Sequence, residues 1–222
     1  MRRWLSSLFS RGSVPASTQQ SLLEPDDPFP VARLEELIRS PGRPHYAVLI
    51  CLAHSVPLDD FVTLVHCPSL VGSAIREGEI KHSTARTKDL LSNATFTFSP
   101  TQVSSFLEGG SIEQTIFFLR KEANREDPAP AHRFLIGRAK SNHIRIVDFA
   151  ISRAHAVIER TAEGYTIHDN NSRNGTKING RPVYSTPELL SDGDTVSLGR
   201  YEFSFLLPAA LYERLKSIES PL

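Results

Sequence analysis

Between residues 133 and 206 the chain breaks into short runs of β-type residues separated by turn dipeptides, and this texture restricts the fold more than any other feature of the sequence. The runs are Arg133–Ile136, Ile144–Val147, Ala154–Glu159, Tyr165–His168, Thr176–Ile178, Thr195–Leu198 and Tyr201–Leu206. Between them stand Asn174-Gly175, Asn179-Gly180 and Asp192-Gly193. Turns that need a positive φ are cheapest with Asn or Asp followed by Gly, so these pairs are hairpin chemistry. Many short strands with turns roughly every 8 to 12 residues predict a β-sandwich or barrel. Pro208 to Ile218 follows, with Leu211, Tyr212, Leu215 and Ile218 at helical spacing, which predicts a closing helix over 208–222 with one face on the strands.

Upstream the texture differs. Residues 1–27 are rich in Ser, Gln, Pro and Asp without sustained periodicity, and are read as a disordered leader that buries too little surface to offset chain entropy. Arg11 interrupts the apolar residues after Met1-Arg2-Arg3-Trp4-Leu5 before a signal-peptide core can form, and no run approaches the roughly 18 apolar residues of a membrane span, so a cytoplasmic chain is expected. Val31, Leu34, Leu37 and Ile38 predict a short helix ending at Pro41-Gly42. Tyr46–Ala53 is continuously apolar and reads as a buried strand or a buried helix; Phe61–Val65 and Thr95–Phe98 read as strands; Ser99-Pro100 reads as a helix start. With the apolar run Ile112–Leu119, residues 28–120 are expected to form a small α+β domain, joined by a charged, proline-broken linker at 121–131 to the strands of 132–207. Cys51 and Cys67 each lie in an apolar stretch and suggest buried free thiols rather than a disulfide framework.

Several clusters fall in the predicted loops: Gly137-Arg138, Asn142, Ser152-Arg153-Ala154-His155 and Ser172-Arg173-Asn174-Gly175-Thr176. Taken with Asn179-Gly180 and with Leu190 to Gly199, their order and spacing resemble the forkhead-associated (FHA) domain family over about residues 132–207. The resemblance implies an antiparallel β-sandwich, usually of eleven strands, whose loops at one end hold phosphothreonine. It implies that Arg138 grips the phosphate, that Ser152 donates its hydroxyl, and that Arg153 reaches phosphate or peptide. His155 is implied to prop the loops, and Asn174 to clamp the peptide backbone beside the phosphothreonine. Arg173 is expected to add a second cation or to select acidic flanking residues, and Gly137, Asn142, Gly175 and Thr176 are expected to support the loops. A phosphate needs such fixed donors, a forked guanidinium above all. The expected function is a phosphothreonine-binding adaptor in Ser/Thr kinase signalling, whose partner is a threonine-phosphorylated protein such as a kinase or its substrate. The alternative is a phosphate-independent scaffold on the same sandwich.

Other chemistries find less support. Ser152, His155 and Asp169 suggest a hydrolase triad, but no nucleophile elbow surrounds the serine, and no enzyme is expected. His132, His143, His155 and His168 lack zinc-type spacing, and Asp192-Gly193-Asp194 lacks the full calcium-loop pattern, so neither metal nor cofactor is expected. Arg138, Arg145, Arg153 and Arg173 suggest a nucleic-acid patch, yet 25 basic residues balance 25 acidic ones and no aromatic platform accompanies them. Nucleic acid is therefore not an expected partner, and a membrane surface is not either. Thr87, in a Ser/Thr-rich stretch and with Leu90 three residues on, is a candidate phosphorylation site through which the protein self-associates.

Overall fold

A computed structural model describes residues 38–39, 43–44, 46–76, 78–81, 95–98, 112–121, 130 and 132–219. In chain order the elements are β1 (Ile38–Arg39), β2 (Arg43–Pro44), α1 (Tyr46–Ser55), α2 (Leu58–Leu64), β3 (Ser69–Ile75), β4 (Gly78–Lys81) and β5 (Thr95–Phe98). A 3-10 turn over Ile112–Gln114 leads into β6 (Ile116–Phe118). The remainder runs β7 (Arg133–Gly137), β8 (Ile144–Arg145), β9 (Ala156–Thr161), β10 (Gly164–Asp169), β11 (Thr176–Ile178), β12 (Arg181–Val183), β13 (Glu188–Leu190), β14 (Thr195–Leu198), β15 (Tyr201–Leu206) and α3 (Pro208–Lys216).

Two sheets face each other. One has five strands in the order β13-β10-β9-β7-β8, the other six in the order β12-β11-β14-β15-β3-β6, and together they make the eleven strands that the resemblance implies. All pairings are antiparallel except β7 with β8. Period-two alternation builds the core: on β15, Tyr201, Phe203 and Phe205 are buried among the side chains of both sheets, whereas Glu202 and Ser204 lie on the other face. Phe117 meets Phe203 edge-on with ring centroids 6.0 Å apart, which ties the edge strand β6 into the same core.

Strands β3 and β6 are covered on both faces. Leu70 and Phe117 enter the core between the sheets, while Val71, Ile116 and Phe118 join a second cluster with α1, α2 and α3. The molecule is thus a sandwich with a helical layer on the outside of its six-stranded sheet. Phe61 of α2 meets Tyr212 of α3 edge-on at 5.2 Å, and the Tyr212 hydroxyl donates to the Val56 carbonyl at 3.2 Å.

This arrangement revises the expected separation of 28–120 from 132–207. Ser69–Ile75 pairs with β15, and Ile116–Phe118 pairs in turn with β3, so part of the upstream stretch belongs to the sandwich sheet itself. Phe61–Val65 is also not a strand: its first four residues close α2. Pro57 at the N-cap with Asp59 and Asp60 in the first turn favours helix there, and these signals outweigh the β-branched run. Tyr46–Ala53 resolves as helix and Thr95–Phe98 as strand. Of the helix expected over Val31–Ile38, the described residue Ile38 lies in β1. The leader, the Ser99-Pro100 helix start, Thr87 and most of the 121–131 linker lie outside the described residues. No helix among the described residues is long and apolar enough to cross a membrane.

Candidate functional site

Strand ends fix where the loops gather. Ile136 near the end of β7 pairs with Ala156 at the start of β9, Ala156 pairs with Asp169 at the end of β10, and Thr176 at the start of β11 pairs with Leu198 at the end of β14. The segments 138–143, 146–155, 170–175 and 199–200 therefore share one end of the sandwich. Every residue singled out for phosphopeptide binding lies in or beside these segments.

His155 joins two of them to the end of β7. Its side chain is fully buried, its Nδ1 accepts from the Ser152 backbone N–H at 3.1 Å, and its Nε2–H donates to the Gly175 carbonyl at 3.2 Å. Its own backbone N–H donates to Ile136, and its carbonyl accepts from the Asn170 N–H. Burial pulls the imidazole pKa below its ordinary 6.5, against the opposing effects of the Gly175 bond and the Asp169 carboxylate. A neutral ring with its proton on Nε2 satisfies both bonds. Asn142, also buried, donates through Nδ2 to the carbonyls of Ala139 (2.9 Å) and Arg153 (2.6 Å), binding the first loop to the second.

Gly137 is where these loops approach most closely. A Cβ there would stand 2.5 Å from the Arg153 carbonyl oxygen and 2.9 Å from Asn142 Nδ2, so no other residue fits without displacing backbone. Gly175 meets a different demand, a φ of +76° as the chain turns into β11.

The third loop has its own hub. Asp169 Oδ1 accepts from the hydroxyls of Ser172 (2.6 Å) and Thr176 (2.7 Å), and Oδ2 accepts from the Ser172 N–H (2.7 Å). Thr176 is thereby a support of the turn. The carboxylate is turned to these partners and His155 Nδ1 to a backbone N–H, so Ser152, His155 and Asp169 do not assemble as a hydrolase relay. Sequence reasoning missed Asp169 as a turn organiser, since its carboxylate binds the N–H three residues on, one position beyond the Asx-turn spacing that sequence can be read for.

On this frame stands Arg138, half-buried at the end of β7. Its backbone N–H donates to the Ser152 carbonyl (2.9 Å), its Nε donates to the Ile151 carbonyl (3.3 Å), and its guanidinium carbon lies 5.7 Å from the centre of the Phe149 ring. Among the described residues no hydrogen bond engages its two Nη groups. Ser152 Oγ accepts from the Arg173 backbone N–H at 3.0 Å, which leaves the hydroxyl proton to donate. Asn174 donates through Nδ2 to the Ala150 carbonyl at 2.8 Å, fastening the third loop to the second. The side chains of Arg153 and Arg173 are exposed beside it.

The second loop is held from below by a pair that the sequence did not reveal. Arg200, buried at the β14–β15 turn, forms an ion pair with Asp148, whose Oδ1 also accepts from the Ala150 N–H at 2.7 Å. His143 is occupied structurally, its Nδ1 accepting from the Leu135 N–H at 2.8 Å. Asp192 and Asp194 accept from the backbone N–H groups of Leu207 and Ser191, as turn residues do.

The chain is similar to known proteins over this same region. The family model for the FHA domain matches residues 134–199. An ABC transporter ATP-binding/permease protein of Mycobacterium tuberculosis is 35% identical over 98 residues, covering 44% of this chain and 11% of the transporter. The oxoglutarate dehydrogenase inhibitor of Corynebacterium jeikeium is 29% identical over 126 residues, covering 54% of this chain and 80% of the inhibitor. A solved structure of Mycobacterium tuberculosis EmbR in complex with a low-affinity phosphopeptide matches at 34% identity and a TM-score of 0.32, over 38% of this chain and 22% of that one.

Proposed function

Residues 134–199 are an FHA domain, and from that premise we propose that the protein is an adaptor in Ser/Thr kinase signalling, recruiting partners by binding their phosphothreonine-containing segments. The observation that carries this reading is the state of Arg138. Its Nε is anchored on the Ile151 carbonyl while both Nη groups stand without a hydrogen-bond partner among the described residues, and Ser152, the next residue after Ile151, has a hydroxyl whose proton is available. A fork of cationic donors beside a hydroxyl suits a tetrahedral dianion.

In this reading Arg138 and Ser152 hold the phosphate, Arg153 and Arg173 add positive charge around it, and Asn174 contacts the peptide backbone. Gly137, Asn142, His155, Gly175 and Thr176 keep the loops in place. Charge-assisted hydrogen bonds contribute about 1.5 to 3 kcal/mol each, and a micromolar complex requires about 8 kcal/mol, so two or three such bonds with the Asn174 contact suffice. The two free cysteines are in keeping with a reducing, cytoplasmic setting. Self-association through phosphorylated Thr87 belongs to the same proposal. Ile75 pairs with Tyr201, so β3 ends at the loop end of the sandwich.

The test is a titration of the full chain with a degenerate phosphothreonine peptide library, with unphosphorylated and phosphoserine libraries alongside. Selective binding to phosphothreonine is expected, and Arg138→Ala is expected to abolish it with the thermal transition intact. Equal binding of the unphosphorylated library would replace this reading with a phosphate-independent scaffold.

A further inference from the structure

The loop that carries Ser152 also carries Phe149, a large apolar side chain that the core does not use. Phe149 is 72% exposed, and Val147 two residues before it 45%, while Ala150 and Ile151 are each 1% exposed, so the turn directs its first apolar residues outward and Phe149 furthest. The loop has little freedom to fold the ring away. Asp148 is paired with buried Arg200, the Ala150 N–H is bound by Asp148 Oδ1, the Ile151 N–H by the Asp148 carbonyl, and the Ala150 carbonyl by Asn174. Covering an exposed aromatic ring with an apolar side chain is favourable, and a pinned loop holds the ring in place for such a contact.

The position of the ring says where that cover would lie. Its centre is 5.7 Å from the Arg138 guanidinium carbon, within the range of a cation–π contact. Any phosphate held by the Arg138 fork brings the residues on either side of it within reach of the ring. Val147 and Tyr184 are also exposed at this end of the sandwich, and Phe149 is the one whose ring lies against the Arg138 guanidinium.

We propose that Phe149 is a specificity-determining residue of the phosphopeptide site, its ring beside Arg138 selecting an aliphatic or aromatic side chain over a charged one at a position flanking the phosphothreonine. The inference rests on the phosphopeptide reading of the preceding section. Covering the ring with such a side chain corresponds to an affinity gain of about tenfold.

The experiment compares the full-length protein with Phe149→Ala and Phe149→Leu on a phosphothreonine library in which each flanking position is varied in turn. The wild type is expected to favour apolar residues at one flanking position, Phe149→Ala to lose that preference with about tenfold weaker binding of the favoured peptide, and Phe149→Leu to retain the preference because the apolar surface remains. Matching thermal transitions in all three separate this from misfolding, which the exposure of the ring makes no part of the expectation. If the wild type binds phosphothreonine peptides and its flanking preferences are the same in Phe149→Ala, the inference is overturned while the phosphopeptide reading stands. If the wild type binds no phosphorylated library at all, that reading falls and takes this inference with it.

Discussion

His155 commits both ring nitrogens to backbone groups of different loops, and this makes it a point where acid acts on the whole site. Folding holds its pKa below the ordinary 6.5, chiefly through burial. The unfolded chain therefore takes up a proton at a pH where the folded one does not, and the histidine's contribution is complete above about pH 6.5 and lost as the pH falls below it. A protonated ring would also place a donor against the Ser152 N–H that Nδ1 now accepts. Urea midpoints measured at about pH 7.5 and about pH 5.5 should show the lower stability at acid pH, and His155→Asn should narrow the difference. The identities of His155, Asn142 and Gly137 were legible in sequence because they come in a fixed order between strands. Their hydrogen-bond partners were not, since each is a backbone carbonyl or N–H from a different loop and carries no side-chain identity to read.

At the scale of elements, the legible strands are those bounded by turns. Tyr201–Leu206 shows buried and less buried residues in turn, whereas Ala156–Thr161 is buried over its first half and open over its second, and both were found as short β-type runs between turn signals. Strand β12 has three residues with Pro182 in the middle and lies at a sheet edge, where a missing N–H is tolerated, and β13 also has three; neither gives a periodic signal. Strand β3 was not found, since Ser69, Gly72 and Ser73 break its apolar residues, and β6 lies inside the apolar run Ile112–Leu119, where period alone does not separate strand from helix. The helical layer that covers them explains why Phe61 is fully buried although α2 has only seven residues. Phe61→Ala should cost about 3 to 5 kcal/mol in denaturant unfolding, since it removes a ring from between α1, α2 and α3. Phosphopeptide affinity should be unchanged in that variant, because the layer packs outside the sheet and touches none of the loop residues.

For the whole molecule, the boundary between its two halves is the lesson. Composition divides the chain at the charged, proline-broken stretch after residue 120, and that division is real as a change in texture. The sheet ignores it, because strand pairing is decided by which edges meet in space, and β15 has β14 on one side and β3 on the other. A fragment of residues 128–222 should therefore lack two of the eleven sandwich strands and leave Phe203 and Phe205 without Leu70 and Phe117. We expect it to aggregate or to unfold without a cooperative transition, whereas a chain that begins before α1 should show a single one, measurable by circular dichroism during heating. A cooperative, monomeric fragment would mean that the sandwich closes without its upstream strands.

The pairing of β3 with β15 also sets the order of events during synthesis. Ser69 donates to the Leu206 carbonyl across 137 residues of sequence. At ordinary elongation rates the ribosome needs on the order of ten seconds to traverse that interval. Throughout it β3 lacks the β15 neighbour it will pair with, and the sandwich closes only after residue 206 has been translated. A nascent chain of this protein thus passes through an obligatory stage with an apolar strand edge uncovered, a natural point of engagement for chaperones.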